Sequence, residues 1–450
     1  MTEHLETTGE NRPNSAGLEK PVSATPAPKN RSFFWLIVSG FISMIGDQFT
    51  LIGLPWLTLK LTGDAMALGF VLAVVGLPRA IFILLGGAIV DRYSPKGVLL
   101  ASKYINTALL GLLAWFVFTG GLTLPVLYVL AAAIGLASAF AYPAGTSILP
   151  FVVPREKLAQ ANGLTMATRQ VTFFIGPLIA GFVIALFGPD GINRGEQAAT
   201  PLAAEATGLA LVFALDGLSF LLSGFMLHLV HTRKAEKGTA PGGVLHLMLE
   251  GIRTILKDRE LRLLFAYMAL IQIFVVGPMQ VGLPVFAESH LDGGAASFGT
   301  IMAAHGAGVL IGVLAAGAGL KLGFRTLGQT FLSIDILIGL AVAAFAYVTT
   351  TFTGGAIMAA AGVLGGIVQV RIFSWLQGRT PPAQMGRVMS FFMFIVMGMA
   401  PISASAAGWV LSFVDITTFF LGAGLMLTLT AAISLMIRPM REVGAPDTQD

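Results

Sequence analysis

The sequence predicts an all-α membrane protein with twelve transmembrane helices in two pseudo-symmetric six-helix bundles. Three observations lead to this fold class. Of the 450 residues, 55% are hydrophobic and only 11% are charged, whereas an ordinary soluble protein has roughly 25% charged residues. Twelve apolar runs are long enough to cross about 30 Å of hydrocarbon. The two halves of the chain also share a spacing of glycines, which indicates a duplicated unit.

The first six predicted spans lie near residues 33–60, 66–90, 98–118, 124–147, 163–187 and 208–230. The second six lie near residues 263–287, 296–320, 326–347, 354–376, 388–413 and 416–437. Each run is continuously apolar and does not alternate with polar residues, so helices are favoured over the strands of a β-barrel. The predicted domains are an N-terminal tail (1–32), a first bundle (33–230), a linker (231–262), a second bundle (263–437) and a C-terminal tail (438–450).

The N-terminal tail and the linker differ from the apolar runs in composition. Residues 1–32 carry mixed charge and four prolines, without the short apolar core of a signal peptide, and predict a disordered cytosolic arm. The linker begins with glycines and continues with apolar residues at helical spacing from Val244 to Lys257. This segment is either an amphipathic helix on the membrane surface or a helix that simply joins the bundles.

Charge predicts the orientation of the chain. Most of the 27 Lys and Arg residues, including Lys103, fall on the side that holds both termini, which the positive-inside rule assigns to the cytoplasm. Only Lys60 and Arg194 lie in loops on the other side. The loops on that side carry the acidic residues Asp64, Asp190, Glu196, Glu205, Glu288, Asp292 and Asp415. We therefore expect a multi-pass protein of the plasma (inner) membrane with both termini in the cytoplasm.

Composition and missing motifs exclude several classes. The chain has no Cys, and its net charge of +4 comes from residues between apolar runs, so the sequence predicts no nucleic-acid partner. It contains no phosphate-binding loop, no His-Glu-x-x-His metal helix and no Gly-x-Ser-x-Gly nucleophile turn. The sequence therefore predicts no enzyme, no metal and no cofactor, and an ion gradient remains the expected energy source.

The repeat between the halves points to a function. Gly53-Leu54-Pro55 recurs as Gly282-Leu283-Pro284, and after a one-residue shift four further glycines recur at a constant offset. Duplicated membrane halves are typical of transporters in which one half rocks against the other around a central site.

The loop after the second span carries a family motif. Gly87, Asp91, Arg92 and Lys96 match Gly-x-x-x-Asp-Arg-x-Gly-basic-basic, and the stretch resembles the loop signature of the major facilitator superfamily. This resemblance implies a loop that latches the cytoplasmic ends of the two halves in one state. A charged loop that only sets topology is the alternative.

The fifth span also resembles a motif of that superfamily. Gly176-Pro177 and Gly181 are similar to the Gly-Pro-rich motif of its antiporters, which implies a bent helix with a small-residue face. Ordinary helix packing explains the pattern equally well. Further short strings, such as Ile45-Gly46-Asp47-Gln48, resemble the branch that contains macrolide efflux proteins and the enterobactin exporter, and favour export over uptake.

Charged residues inside the spans are the main site candidates, because an ionised group at this depth is costly unless it is paired or faces water. Asp47 and Arg79 fall about 21 and 18 Å from the cytoplasmic ends of their spans. We expect Asp47 to be the proton-responsive carboxylate, with Arg79 as its partner or as a substrate contact. A static ion pair that orients two helices is the alternative. The other charges that stand out inside the spans are Arg169, Asp216, Asp335 and Arg371.

These remaining charges have less direct roles. Asp216 and Asp335 are expected to form structural hydrogen bonds, and the two arginines to snorkel or to join an inner gate. Weaker candidates for the cavity are Gln48, Tyr142, Gln272, Gln280 and His305.

The sequence thus predicts a monomeric secondary transporter of the major facilitator superfamily, embedded in a lipid bilayer. Its expected substrates are small amphipathic molecules, similar to drugs or siderophores, that leave in exchange for protons or another ion. The alternatives are a metabolite uptake permease of the same fold, and a membrane sensor or lipid-modifying protein that transports nothing.

Overall fold

The computed structural model describes residues 30–92, 94–188, 200–233, 255–319, 324 and 326–445. Within these residues every regular element is helical, and twelve segments are long and apolar enough to cross a membrane. This finding confirms the predicted fold class. Residues 1–29 of the predicted N-terminal tail lie outside the described residues. The same holds for the predicted amphipathic segment up to residue 254.

The described part of the first half contains seven α-helices. They are α1 (Asn30–Thr62), α2 (Ala65–Arg92), α3 (Pro95–Phe118), α4 (Leu124–Ala139), α5 (Ala141–Ser147), α6 (Leu158–Leu186) and α7 (Pro201–His228). Helices α4 and α5 form the fourth span, which is interrupted at Phe140.

Among the described residues of the second half there are eight α-helices. They are α8 (Arg259–Gly277), α9 (Leu283–His290), α10 (Gly294–Gly317), α11 (Leu327–Ala344), α12 (Thr351–Arg379), α13 (Pro382–Leu411), α14 (Ile416–Met436) and α15 (Arg438–Arg441). Helices α8 and α9 form the seventh span and are joined by a π-helical turn over Pro278–Gly282.

Short polar side chains cap the amino-terminal ends of two equivalent helices, one in each half. Ser94 accepts a hydrogen bond from the Gly97 amide before α3, and Thr326 accepts one from the Gln329 amide before α11. Such caps satisfy amides that have no partner within the helix. The third span of each half therefore starts in the same way, as the duplicated sequence predicts.

The two bundles meet where α2 crosses α13 and where α6 crosses α10. Glycines allow these crossings. A Cβ added to Gly181 would lie 2.5 Å from the carbonyl oxygen of Ala295, and a Cβ added to Gly299 would lie 2.4 Å from that of Pro177. Backbones this close require small residues. The Gly-Pro-rich motif of the fifth span thus lies at the contact between the bundles, within a helix that continues through Pro177.

The ends of the bundles are called here the Lys60 end and the Lys96 end, after a residue at each. The glycine crossings of α2 with α13, which include Gly69 against Gly408, lie towards the Lys60 end. At the same end Lys60 forms an ion pair with Glu288 of the second half. The structure is therefore closed at the Lys60 end.

The predicted C-terminal tail is partly folded. Residues 438–445 pack on the second bundle, where the Gly328 amide donates to the carbonyl oxygen of Val443 at 2.9 Å. Met440 and Val443 are buried in the same apolar cluster as Phe331. The second bundle thus extends beyond the predicted boundary at residue 437, because these apolar residues cover the start of α11.

Candidate functional site

Asp47 and Arg79 occupy corresponding depths near the midpoints of α1 and α2. The Asp47 side chain is exposed. It nevertheless interacts electrostatically with Arg79, Lys103 and Arg169, and with Asp216 of α7. These charges come from four other helices of the first bundle, so the exposed carboxylate faces an interior space and not the lipid.

Asp47 and Arg79 do not form an ion pair in this conformation. Among the described residues, no Arg79 nitrogen lies within 4.0 Å of an Asp47 carboxylate oxygen. The Nε atom of Arg79 is buried and has no hydrogen-bond partner. The geometry therefore does not match a static pair, and both charged groups are left available to a third group.

Gln48 lies between helices and does not line the space that Asp47 faces. Its side chain is 5% exposed, and a Cβ added to Gly176 would lie 2.4 Å from the Cβ and Cγ atoms of Gln48. The Gly-Pro-rich motif therefore also fixes the packing of α6 against α1. The Oε1 atom of Gln48 is buried without a partner.

Lys103 is an intramembrane charge that the sequence analysis counted among the cytoplasmic loop residues. It lies within α3, is 7% exposed, and its Nζ donates hydrogen bonds to Ser43 Oγ at 3.0 Å and Ser223 Oγ at 2.5 Å. The sequence signal for it is its position inside the predicted third span, 98–118. Aligning Ser94 with Thr326 places Lys103 at the same position as Asp335, a residue that was recognised as intramembrane.

For the proton-coupled transport that the sequence predicts, we expect Lys103→Met to move the midpoint of the pH profile to higher pH by about one unit. Methionine keeps the length of the side chain but removes a positive charge that favours ionised Asp47. The pH dependence of substrate flux in proteoliposomes measures this shift. Lys103→Arg keeps the charge and serves as the control, and an unchanged midpoint in Lys103→Met would exclude an electrostatic role.

The two buried aspartates are held by hydroxyl groups. Asp216 is 1% exposed and accepts hydrogen bonds from Thr50 and Ser219, in space left by Gly46. Asp335 is 6% exposed and accepts one from the Tyr267 hydroxyl at 2.9 Å. Their geometry is that of structural hydrogen bonding between helices.

Tyr142 spans the gap between the bundles. The guanidinium carbon of Arg169 lies 5.4 Å from the centre of the Tyr142 ring. The Tyr142 hydroxyl approaches Met393 Sδ of α13 at 3.6 Å. Because Arg169 also interacts with Asp47, Tyr142 belongs to the same site.

The remaining predicted cavity residues lie in the second bundle. Gln272 donates to the Val396 carbonyl at 3.3 Å, and the Nδ1 atom of His305 lies 3.4 Å from the Met358 carbonyl oxygen. Gln280 is part of the π-helical turn and is partly exposed. Since Gln272 and His305 contact backbone groups of neighbouring helices, the structure does not bring them to Asp47.

The predicted latch is described only in part. Gly87, Asp91 and Arg92 lie at the end of α2, but their side chains are outside the described part of the chain. Lys96 Nζ donates to the carbonyl oxygens of His228 and Val230 at 3.0 and 2.7 Å. This cation caps the carboxyl end of α7, where positive charge is favourable. Its partners thus belong to the first bundle.

A charge cluster at the Lys60 end links the bundles. Lys60 Nζ lies 2.9 Å from Glu205 Oε1 and 2.7 Å from Glu288 Oε1, and it stands 5.1 Å from the centre of the Trp56 ring. The Trp56 indole N–H donates to Glu205. The sequence offered one signal for this cluster, since Lys60 is an isolated cation on the acidic side.

A concave region of about 770 Å³ lies at the Lys96 end of the second bundle and is bordered by Asp258, Trp375 and Gln384. Arg379 spans it and pairs with Asp258 at 3.0 Å and Glu260 at 3.1 Å. Partial burial alone would raise the pKa of Asp258, but the hydrogen bonds from Arg379 and from the amides of α8 outweigh it and lower the pKa. The predicted cavity residues are not among those that line this region, and the ion pairs already satisfy its charges.

Comparison with known proteins identifies the family. The family model described as Major Facilitator Superfamily matches residues 36–405. The chain is 25% identical to the multidrug efflux pump Tap of Mycobacterium tuberculosis over 91% of this chain and 94% of that protein. It is 20% identical to macrolide efflux protein A of Streptococcus pyogenes over 91% of this chain and 97% of that protein. The predicted resemblance to this branch is therefore confirmed.

A solved structure gives the same fold. A mutant of the nucleoside transporter NupG superposes with a TM-score of 0.70 at 14% sequence identity, over 89% of this chain and 97% of that one. With the twelve membrane-spanning helices and the contact between two bundles, these findings show that the chain belongs to the major facilitator superfamily and is a membrane transporter, not an enzyme.

Proposed function

We propose that this transporter exports small amphipathic molecules in exchange for protons. The observation that carries the proposal is the exposed Asp47 carboxylate at mid-depth, surrounded by Arg79, Lys103 and Arg169. A titratable group in this position marks an ion or proton pathway. The efflux relatives, which cover most of the chain at 20–25% identity, favour export over uptake.

In the proposed orientation, the Lys96 end and both termini lie in the cytoplasm. The protein is proposed to be a monomer in the inner membrane of the cell. The charge bias of the loops supports this orientation. Contact between the bundles at the Lys60 end then corresponds to a conformation that is closed to the outside. Substrate would enter from the cytoplasm while the Lys60 cluster holds the outer end shut.

Protonation is proposed to control the exchange through charge. When Asp47 is ionised, it balances the neighbouring cations and can hold a positively charged substrate group. When it is protonated, the site gains net positive charge and that substrate group loses its partner. Because substrate and proton compete for the same carboxylate, each leaves as the other binds.

A proteoliposome assay tests the proposal. Vesicles that contain the purified protein and an imposed pH gradient are given erythromycin or ethidium as probes, and proton movement is followed with a pH-sensitive dye. Exchange predicts that each probe triggers proton movement opposite to its own. Movement of probe and proton in the same direction would instead indicate an uptake symporter, and the absence of coupled movement for both probes would contradict proton-coupled export.

A further inference from the structure

We infer that the central site binds zwitterionic amphipathic molecules, with a substrate ammonium group at Asp47 and a substrate acidic group at Arg79. This inference rests on the proposed function and adds the class of substrate. Its starting point is a pair of opposite charges at the same depth that do not reach each other.

Both charged groups are available for a ligand. The Asp47 carboxylate is exposed, and among the described residues it has no hydrogen bond or ion pair. The Arg79 guanidinium likewise has no hydrogen bond in the described structure, and its Nε is buried. Unpaired charges at mid-membrane depth are unfavourable. A molecule that carries both complementary groups would pair each of them.

The neighbouring charges already have partners within the protein. Lys103 donates to two serine hydroxyls, and Asp216 accepts from Thr50 and Ser219. Arg169 stacks on Tyr142. In the cluster around Asp47, the charged groups that contact neither a hydroxyl group nor an aromatic ring among the described residues are therefore those of Asp47 itself and Arg79.

The signs of these charges disfavour ligands with a single charge. A purely cationic molecule would pair with Asp47 but leave Arg79 unpaired and be repelled by Arg79, Lys103 and Arg169, so it should bind more weakly than a zwitterion. A purely anionic molecule would pair with Arg79 but leave Asp47 unpaired and be repelled by Asp47 and Asp216. A zwitterion places each of its charges beside the opposite one, so electrostatic complementarity selects it over both.

The facing helix suits an apolar body. Met393 of α13 touches Tyr142 of the first bundle, and Met397 follows one helical turn later with a partly exposed side chain. Methionine side chains adapt to apolar groups of different shapes. The second bundle thus offers apolar contacts opposite the charged pair, which explains the amphipathic requirement.

The test uses four probes with one fluorophore. Nε-dansyl-lysine is a zwitterion, its methyl ester a cation, its Nα-acetyl derivative an anion, and its Nα-acetyl methyl ester is neutral. Dansyl fluorescence reports binding to the full chain in lipid nanodiscs. We expect the zwitterion to bind at least tenfold more tightly than each of the other three.

Variants identify the contacts. In Arg79→Gln the zwitterion should bind no better than the cationic ester, and in Asp47→Asn it should bind no better than the anionic derivative. Arg371→Gln, in the second bundle beside Thr330, removes a partly buried arginine elsewhere and should keep the preference of the unmodified protein.

Two results would overturn the inference. The neutral probe could bind as tightly as the zwitterion, or none of the four could bind while erythromycin or ethidium still drives proton exchange. In both cases proton-coupled export itself would stand. Loss of the proposed function would show separately, as the absence of probe-dependent proton movement.

Discussion

Asp47→Asn is expected to abolish proton-driven accumulation of substrate and to leave only slower downhill movement, because the substrate's positive group also loses its partner. Asparagine has the shape of protonated aspartic acid but cannot ionise, so the site can no longer change charge during the cycle. In a one-proton exchange, a gradient of one pH unit drives about tenfold accumulation, since one unit corresponds to about 1.36 kcal/mol. The accumulation ratio of the variant should fall from about ten to one.

Proteoliposomes with an imposed pH gradient and labelled erythromycin measure this ratio. Asp335→Asn is the matched control, because Asp335 is also an intramembrane aspartate but is buried against Tyr267 in the second bundle. That variant should lose thermal stability and keep its coupling to protons. If Asp47→Asn still accumulates substrate against its gradient in response to pH, the proton-coupling role of Asp47 is wrong.

Glu288→Gln is expected to shift the protein towards a conformation open at the Lys60 end. Glu288 is the residue of the second bundle that pairs with Lys60. When the charge of Glu288 is removed, Lys60 keeps only Glu205, which belongs to the first bundle, as its carboxylate partner. Because the Glu288 side chain is 37% exposed, solvent screens the pair, and a contribution of about 1 kcal/mol is realistic. That energy corresponds to a roughly fivefold change in the population ratio.

Distances between spin labels across the Lys60 end measure the shift. The chain has no native Cys, so labels can be placed at Thr119 of the first bundle and Asp292 of the second. Glu442→Gln is the control, since the Arg438–Glu442 pair is exposed and lies within one bundle. A distance distribution that is the same in Glu288→Gln and in the unmodified protein would contradict the gating role of Glu288.

The sequence is sufficient for the fold, because hydrophobic length and charge bias depend only on local composition. The ends of the predicted spans agree with the ends of the helices to within seven residues, apart from the α4–α5 interruption and the π-helical turn. The sequence also singles out Asp47 and Arg79 as candidates, since a charged residue within an apolar run can be recognised from the sequence alone. Their separation is a tertiary property that hydropathy cannot provide.

Residues near the ends of the runs are harder to interpret. Lys103 lies where a loop cation and a buried cation look alike in sequence, and only the hydroxyls of Ser43 and Ser223, from other helices, reveal which it is. Lys60 has the same ambiguity, because Glu205 and Glu288 are more than a hundred residues away in the chain. Partners contributed by distant segments are what the sequence could not reveal.

The equivalent positions of Lys103 and Asp335 bear on the origin of the two halves. An ancestor assembled from two identical copies would have carried the same side chain at both places. Joining the copies in one polypeptide lets each diverge, and here one has a cation held by alcohols while the other has an acid held by a phenol. The halves are therefore no longer interchangeable at this position, since Asp335→Lys would bury a second lysine beside Tyr267 and not beside the serine hydroxyls that hold Lys103.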